Sequence, residues 1–156
     1  MADSIKVKAT GSVSNVACGF DCLGYSMENP GDEITLTKNL SGEIKITMSG
    51  IQAEKISVNP NKNTAGKAIN SMLSSLENSS GFDVHINKGI PPGSGIGSSA
   101  SSAVGAVFAL NQILGNPLNE EELIIHAMVG EAVASGGFHA DNVAPSLYGG
   151  MVLIRN

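Results

Sequence analysis

Hydrophobic and polar positions alternate along several short stretches of the chain, and such alternation indicates strands with one buried face. The pattern is weak over Ser4–Ala9 and clearer over Asp32–Lys38 and Glu43–Met48, with "NLSG" between the latter two. Because "NLSG" is typical of a turn, we predict that these two runs form a hairpin. Further strands are predicted over Phe82–Lys88 and, at the end of the chain, over 150–156.

Apolar residues recur at helical spacing in three other segments. The first helix is predicted from Thr64, as its N-cap, to about residue 78, and the second from Ser98 to Leu114. The third opens at Asn119, where Glu122 three residues later completes a capping box. The order of strands, helix, strand, two helices and strand predicts an α+β fold.

Two stretches that contain candidate functional side chains are predicted to be loops. "SNVACGFDCLGYSM" is unusually apolar for a loop but contains Asn15 and Asp21, and "SGGFHADNVAPSLYGG" contains His139, Asp141 and Asn142. These side chains could bind the hydroxyl, amine and carboxylate groups of a small substrate. The alternative is that they only form turns and caps.

The length of 156 residues fits one domain, or one lobe of a larger enzyme. The net charge is −5 and the nine basic residues are scattered, which argues against a nucleic-acid partner. The chain has no apolar signal segment and no apolar run of membrane-spanning length, so we expect a cytoplasmic protein without a membrane partner. Cys18 and Cys22 have no Cys/His cluster beside them to complete a zinc site, and we expect buried or half-buried thiols.

The segment "GIPPGSGIGSSASSAVGAVFAL" (89–110) joins a glycine-rich loop to an apolar helix and has no charged residue. Gly93, Gly95 and Gly97 leave backbone N–H groups accessible, and the helix beginning near Ser98 directs its unpaired N–H groups and positive dipole end toward the same place. These features predict a site for a phosphate chain. The alternative is a turn that only joins strand to helix, with Ser98 as its N-cap.

This loop differs from two familiar phosphate loops. Gly97 is not followed by the Lys-Ser/Thr pair of a P-loop, and the spacing is not G-x-G-x-x-G. Because the loop has no lysine, part of the phosphate charge has to be met by a cation, and Ser98 or Ser99 would offer a hydroxyl oxygen to Mg²⁺. Glu131, on the apolar stripe of the third helix, is the candidate carboxylate ligand; an exposed glutamate near the helix end is the alternative.

The segment "PPGSGIGSSASSA" (91–103) resembles the second signature motif of the GHMP small-molecule kinases. "SVSNVACGFDCLGYSME" and "GGFHADNVAPSLYGGMVLI" resemble the homoserine kinases within that family, and the match covers almost the whole chain. The resemblance implies the family's N-terminal ATP-binding domain over 1–156, a two-layer α+β fold with a mixed or antiparallel sheet packed against helices. It also implies transfer of the γ-phosphate of ATP to the side-chain hydroxyl of L-homoserine, in threonine biosynthesis.

On the ATP side, the resemblance implies that Ser99 and Glu131 hold Mg²⁺ and act in catalysis together with Asp141. It places Asn63 beside the adenine and Lys88 directly before the loop. The nucleotide-binding residues that it implies are Asn63, Lys88, Pro92, Gly93, Ser94, Gly95, Ile96, Gly97, Ser98, Ser99, Ala100 and Ser101.

On the acceptor side, the resemblance implies a pocket for the small-molecule substrate, L-homoserine, formed by Asn15, Asp21, His139, Asp141 and Asn142. An aspartate there makes physical sense because a buried ammonium needs a compensating charge. Asp141 is either a general base or an orienting group, since phosphoryl transfer can rest on positioning and electrostatics. The resemblance leaves a homodimer open.

The sequence also departs from the family pattern. The first motif usually reads approximately P-A-S-x-A-N-L-G-P-G-F-D, and Thr10, Gly11, Ala17 and Cys18 replace residues of it here. The chain ends before the third glycine-rich motif and the substrate-binding arginines of the family's C-terminal half, so we expect the 156 residues alone to be inactive or weakly active. A different kinase of the family and a non-catalytic nucleotide-binding domain are the alternatives.

Overall fold

The computed structural model describes residues 3–155, and residues 1, 2 and 156 of the predicted domain lie outside that range. A mixed sheet of five strands packs against helices, which confirms the predicted α+β class. The elements are β1 (Ser4–Val16), β2 (Gly19–Asn39), β3 (Ile44–Gly50), a 3₁₀ turn (Ala53–Lys55), α1 (Thr64–Ser75), β4 (Gly81–Lys88), α2 (Ser98–Ile113), α3 (Glu120–Ser135), α4 (Val143–Tyr148) and β5 (Met151–Leu153).

The sheet has the strand order β1-β2-β4-β3, and β5 pairs with β2. The predicted hairpin between β2 and β3 is wrong, because β4 lies between them, antiparallel to β2 and parallel to β3. Alternation defines the face of each strand but not its neighbour. Phe82, Val84 and Ile86 of β4 are fully buried or nearly so, which suits a central strand. The parallel pair is joined by a crossover that contains α1.

β1 and β2 extend well beyond their predicted limits. They pair as one long hairpin as far as Val16 and Gly19, so the N-terminal segment predicted to be a loop is the end of this hairpin. The pairing is irregular there, and Asn15, Ala17 and Asp21 have positive φ angles. Cys18 is exposed at the tip, contrary to our expectation of a buried or half-buried thiol.

The helices α1, α2 and α3 pack together, and α2 lies directly on β1 and β2. Almost every residue of α2 is buried, and small side chains let it approach the sheet closely: a Cβ added to Gly105 would lie 2.3 Å from Cδ1 of Ile34. On the opposite face of β4, Asp83, His85 and Asn87 are exposed. The helical layer therefore covers one face of the sheet.

The helix ends agree only partly with the predictions. The capping box of Asn119 and Glu122 at the start of α3 is confirmed. Asn63 and not Thr64 is the N-cap of α1, because the amide side chain can accept from two first-turn N–H groups at once. Among residues 3–155, no helix combines the length and the apolar character needed to cross a membrane.

The C-terminal segment differs from the prediction as well. The long loop expected after α3 contains the short helix α4, whose Pro145 lies in the first turn, where its missing N–H breaks no intrahelical bond. The last strand, β5, is only Met151–Leu153 and pairs with Leu23–Tyr25. Asn156, which the prediction included in this strand, lies outside the described residues.

Candidate active site

The glycine loop (89–97) between β4 and α2 folds as an open nest of amides. Gly93, Gly95 and Gly97 have φ angles of 75°, 77° and 66°, a left-handed backbone that turns successive N–H groups toward one side. A Cβ at residue 93 or 95 would have no heavy atom of the described residues within 4 Å. The loop is therefore open to a ligand on this side.

The N-terminus of α2 continues this amide-lined surface. Gly97 is its N-cap, not Ser98, so the N-cap residue has no side chain that could cap the N–H groups of the first turn. Ser98 instead donates its hydroxyl to the carbonyl oxygen of Ile90 across the loop, at 3.0 Å. The uncapped N–H groups and the helix dipole suit an anion.

Glu131 of α3 faces this helix end from the interior, as the apolar stripe predicted, and is only 7% exposed. Its Oε1 accepts a hydrogen bond of 2.9 Å from the hydroxyl of Ser99, whereas Oε2 has no hydrogen-bond partner in the part of the chain that the structure describes. Burial raises the pKa of the Glu131 carboxyl and nearby Asp141 adds to the rise, while the Ser99 hydrogen bond opposes it. A buried carboxylate with an unpaired oxygen favours a cation partner.

The donor set at this point fits Mg²⁺. A serine hydroxyl and a carboxylate are hard oxygen ligands, and the orphaned oxygen of Glu131 provides a coordination position. No group of three or more His, Cys, Asp or Glu side chains within residues 3–155 could hold a metal by itself. A bound Mg²⁺ would therefore need further oxygen ligands, such as those of phosphates and water.

A cavity of about 310 Å³ lies beside the glycine loop, α2 and Glu131. Its wall contains most of the predicted nucleotide-binding residues but not Ile96, Ala100 or Ser101. Ala100 and Ser101 are buried, and the Ser101 hydroxyl donates to the carbonyl oxygen of Ala9. The lining residues are Met48, Ile56, Asn63, Thr64, Lys88, Pro92, Gly93, Ser94, Gly95, Gly97, Ser98, Ser99, Ser102, Glu131, Ala134 and Asn142.

Asn63 reaches this cavity, but its amide group is already hydrogen-bonded within the protein. Its Oδ1 accepts from the N–H groups of Ala65 and Gly66 at 3.0 and 3.2 Å, and its Nδ2 donates to the carbonyl oxygen of Ser57 at 2.8 Å. Asn63 therefore fixes the start of α1 at the cavity wall. Its predicted place beside an adenine stays a prediction.

Lys88 forms a buried ion pair with Asp32 behind the glycine loop, and both side chains are at most 1% exposed. The Lys88 ammonium also donates to the carbonyl oxygen of Ser98 and to the hydroxyl of Ser102, at 2.9 and 2.8 Å. Burial lowers the pKa of Lys88, and the charge of Asp32 opposes that change.

The predicted acceptor-side residues lie close to one another. Asn15 and Asp21 lie at the β1–β2 hairpin end, where the Asp21 N–H donates to Oδ1 of Asn15 at 2.8 Å. Nδ1 of His139 lies 3.9 Å from Oδ1 of Asp21, and both side chains are about half exposed, at 48% and 53%.

Asp141 and Asn142 connect this group with the cavity. Asp141 is buried and close enough to Glu131 to raise the pKa of that carboxyl. Asn142 lies in the cavity wall, where its Oδ1 accepts from Ser12 and its Nδ2 donates to Ser14, at 3.0 and 2.9 Å. The structure thus brings all five predicted acceptor-side residues to one region beside the glycine loop.

Three residues of this region were not predicted from the sequence: Asp32, Ser102 and Ser12. A signal for Asp32 existed, because it has the same strand parity as Ile34 and Leu36, and an acidic residue on a buried face requires a partner. Lys88 similarly shares the parity of Val84 and Ile86. Ser12 hydrogen-bonds to the glycine loop through its N–H and to Asn142 through its hydroxyl, and it carried no comparable signal.

A glycine loop before a buried helix, with a serine–carboxylate pair at the helix start, is an arrangement suited to a phosphorylated ligand. Residues 63–150 match the family described as GHMP kinases N terminal domain. The chain belongs to the GHMP kinase family. Its most similar relatives include the homoserine kinase of Methanococcus vannielii, 43% identical over 97% of this chain and 50% of that protein.

Other relatives agree with this placement. The homoserine kinase of Xylella fastidiosa is 43% identical over 97% of this chain and 47% of its own length. The crystal structure of homoserine kinase from Cytophaga hutchinsonii has a TM-score of 0.95 at 45% identity, covering 100% of this chain and 50% of that chain. The mevalonate kinase of Methanococcus jannaschii, at 21% identity and a TM-score of 0.75, shares the fold. The chain spans about half the length of these relatives.

Proposed function

We propose that this chain is the ATP-binding half of a homoserine kinase, an enzyme that transfers the γ-phosphate of ATP to the side-chain hydroxyl of L-homoserine. The observation that carries the proposal is the Ser99–Glu131 contact beside the glycine loop, where the second carboxylate oxygen has no hydrogen-bond partner among residues 3–155. The choice of homoserine is supported by 40–45% identity to homoserine kinases over nearly all of this chain.

On the nucleotide side, the amides of the glycine loop and of the first turn of α2 would bind the phosphate chain. Met48 and Ile56 give the cavity an apolar part near Asn63, which suits the flat face of a base. Ser99 and Glu131 would hold Mg²⁺, which neutralises phosphate charge when bound. The loop amides would bind the phosphates before the transfer step and so fix their position.

On the acceptor side, Asp21 would pair with the substrate ammonium and His139 would lie beside it. In the reaction, the homoserine hydroxyl oxygen forms a bond to the γ-phosphorus, the bond from that phosphorus to the β–γ bridging oxygen breaks, and ADP and one proton are released. Asp141 is buried near Glu131, where it would either accept that proton or orient the hydroxyl. We expect positioning to supply most of the rate enhancement.

The proposal is tested by phosphate transfer. The chain alone, and the chain joined to a C-terminal half taken from a homoserine kinase, are assayed for ADP release from Mg·ATP with L-homoserine, mevalonate or galactose as acceptor. We expect the joined protein to consume L-homoserine and to form O-phospho-L-homoserine, identified by mass spectrometry. If the joined, folded protein prefers another acceptor, homoserine is not its substrate. If it binds no ATP, the kinase assignment is refuted.

Two pairs of variants locate the chemistry in this assay. Ser99→Ala and Glu131→Gln should lower the rate, whereas Ser79→Ala and Glu54→Gln remove the same groups from exposed positions outside the cavity and should not. Equal rates in all four variants would contradict the assignment of Ser99 and Glu131.

A further inference from the structure

The glycine loop has a buried anchor that the proposed reaction does not use directly. Asp32 accepts hydrogen bonds from the N–H groups of Gly89 and Ile90, at 3.0 and 3.2 Å, through its Oδ1. Its other oxygen, Oδ2, accepts from Lys88 and from the hydroxyl of Ser102, the latter at 2.7 Å. One carboxylate therefore binds the first two residues of the loop and the first turns of α2.

Lys88 completes the connection. An ammonium group has three N–H donors, and here the three acceptors are Asp32, the Ser98 carbonyl oxygen and the Ser102 hydroxyl. Although Lys88 contributes to the cavity wall, its side chain is 1% exposed and its donors are all used within the protein. A phosphate could gain a hydrogen bond from Lys88 only if one of these internal bonds broke.

The strand register explains why the pair forms. Glu33 of β2 lies opposite Asn87 of β4 in an antiparallel pairing, which makes Asp32 and Lys88 the next pair along, on the buried face. This pair marks the point where β4 ends and the loop begins. The residues that set the spacing between the loop's two ends are thus fixed by the central strands of the sheet.

We propose that the buried Lys88–Asp32 pair is a positioning device for the glycine loop, which holds both loop ends in the geometry that binds phosphate without contacting the nucleotide. The proposal rests on the proposed function, since it assumes that the loop binds the phosphates of ATP. Lys88 and Asp32 are then positioning residues. Lys88, which the resemblance places among the nucleotide-binding residues, acts on the nucleotide only through the loop.

Asp32→Asn separates this proposal from a direct contact. If Lys88 were a phosphate ligand, loss of the Asp32 charge would free its ammonium and tighten ATP binding or leave it unchanged. If the pair positions the loop, the same change weakens ATP binding by about ten- to hundredfold, as when a partner that orients a ligand is removed. Asp83→Asn removes the same charge from the exposed face of β4 and should leave the affinity unchanged.

Binding is measured by calorimetry on the full chain with ATP, ADP and adenosine, each with Mg²⁺. A positioning role predicts that the loss grows with the number of phosphates and that adenosine affinity, where measurable, changes less than twofold. A uniform loss for all three ligands would indicate general damage to the fold and would overturn the proposal. Tighter ATP binding by Asp32→Asn would overturn it in favour of a direct contact.

Two further variants keep the test decisive if Asp32→Asn does not fold. Asp32→Asn with Lys88→Met removes both charges, so no buried charge is left unpaired and folding is retained. Ser102→Ala removes one contact of each partner and leaves the ion pair in place. We expect weaker ATP binding in both variants, and wild-type affinity in either folded variant contradicts the proposal. Only Ser102→Ala separates positioning from direct contact, because it frees one donor of Lys88 and would tighten ATP binding, or leave it unchanged, if Lys88 bound phosphate. Failure of the wild-type chain to bind ATP would instead refute the proposed function.

Discussion

The phosphate side and the acceptor side of the site are held by different means. Behind the glycine loop, Asp32 and Lys88 are buried, and every polar atom of their side chains is hydrogen-bonded. At the hairpin end, Asp21 and His139 are about half exposed and 3.9 Å apart. Burial with complete hydrogen bonding marks residues that maintain the shape of the site, and exposure or an unpaired atom marks residues available to a ligand.

The largest effect on stability is expected from Lys88→Met. This change leaves Asp32 buried without its counter-charge, which should lower the free energy of unfolding by about 3–5 kcal/mol. Urea denaturation followed by circular dichroism measures it. Lys6→Met is the matched control, since Lys6 pairs with Glu33 at the surface and should change stability by about 1 kcal/mol or less. Similar losses of unfolding free energy in the two variants would contradict the distinction between the buried and the surface ion pair.

The glycine loop itself is tested by Gly97→Ala. A Cβ at residue 97 would lie 2.3 Å from Oγ of Ser12, whereas one at Gly136, which has a similar φ of 75°, would have no described heavy atom within 4 Å. Both variants carry the strain of a left-handed backbone, but only the first has the clash. Gly97→Ala should therefore be about 1–3 kcal/mol less stable than Gly136→Ala in thermal or urea unfolding. Equal stability of the two variants would show that the loop can rearrange to avoid the clash without loss of stability.

Glu131 links stability to pH because burial raises its pKa above the usual 4.5. Protonated Glu131 is compatible with burial, so its favourable contribution is present below the usual pKa and is lost as pH rises through the raised value. Without divalent cations, the stability of the wild type relative to Glu131→Gln should fall across this window, by at most about 1.4 kcal/mol per pH unit. Unfolding measured in EDTA from pH 4 to 8 tests this, with Glu54→Gln as control; a constant difference would contradict it.

The smallest stability change is expected on the acceptor side, for Asp21→Asn. Because Asp21 is about half exposed, its replacement should change the free energy of unfolding by no more than about 0.5 kcal/mol. In the enzyme joined to a C-terminal half, the same change should raise the KM for L-homoserine about tenfold or more, through loss of a charged contact. An unchanged KM would remove Asp21 from the substrate pocket.

The elements that the sequence predicts well are those defined by local chemistry. The starts of α2 and α3 and the burial of Glu131 follow from glycine, cap and periodicity signals within a few residues of each other. The partner of β2 is different, since β4 is more than forty residues away and alternation does not encode neighbours. Strand pairing depends on the whole fold.

The residues of the site also divide into those that local sequence predicts and those that depend on long-range contacts. The glycine loop and its serine could be predicted because their chemistry is contiguous in sequence. The contacts of Asp32 with Lys88 and of Ser12 with Asn142 join residues 56 and 130 positions apart. Asp32 and Lys88 lie on buried strand faces, which showed that they required partners, but only the strand register identifies those partners. Ser12 carried no such signal.

The most direct test of the account is calorimetric titration of the chain with ATP, with and without Mg²⁺. In the wild type, Mg²⁺ should tighten ATP binding, because Ser99 and Glu131 together offer oxygen ligands at the end of the glycine loop. In the combined Ser99→Ala and Glu131→Gln variant, ATP should still bind to the loop amides, but the gain from Mg²⁺ should disappear. An identical gain from Mg²⁺ in both proteins would contradict the assignment on which the account depends.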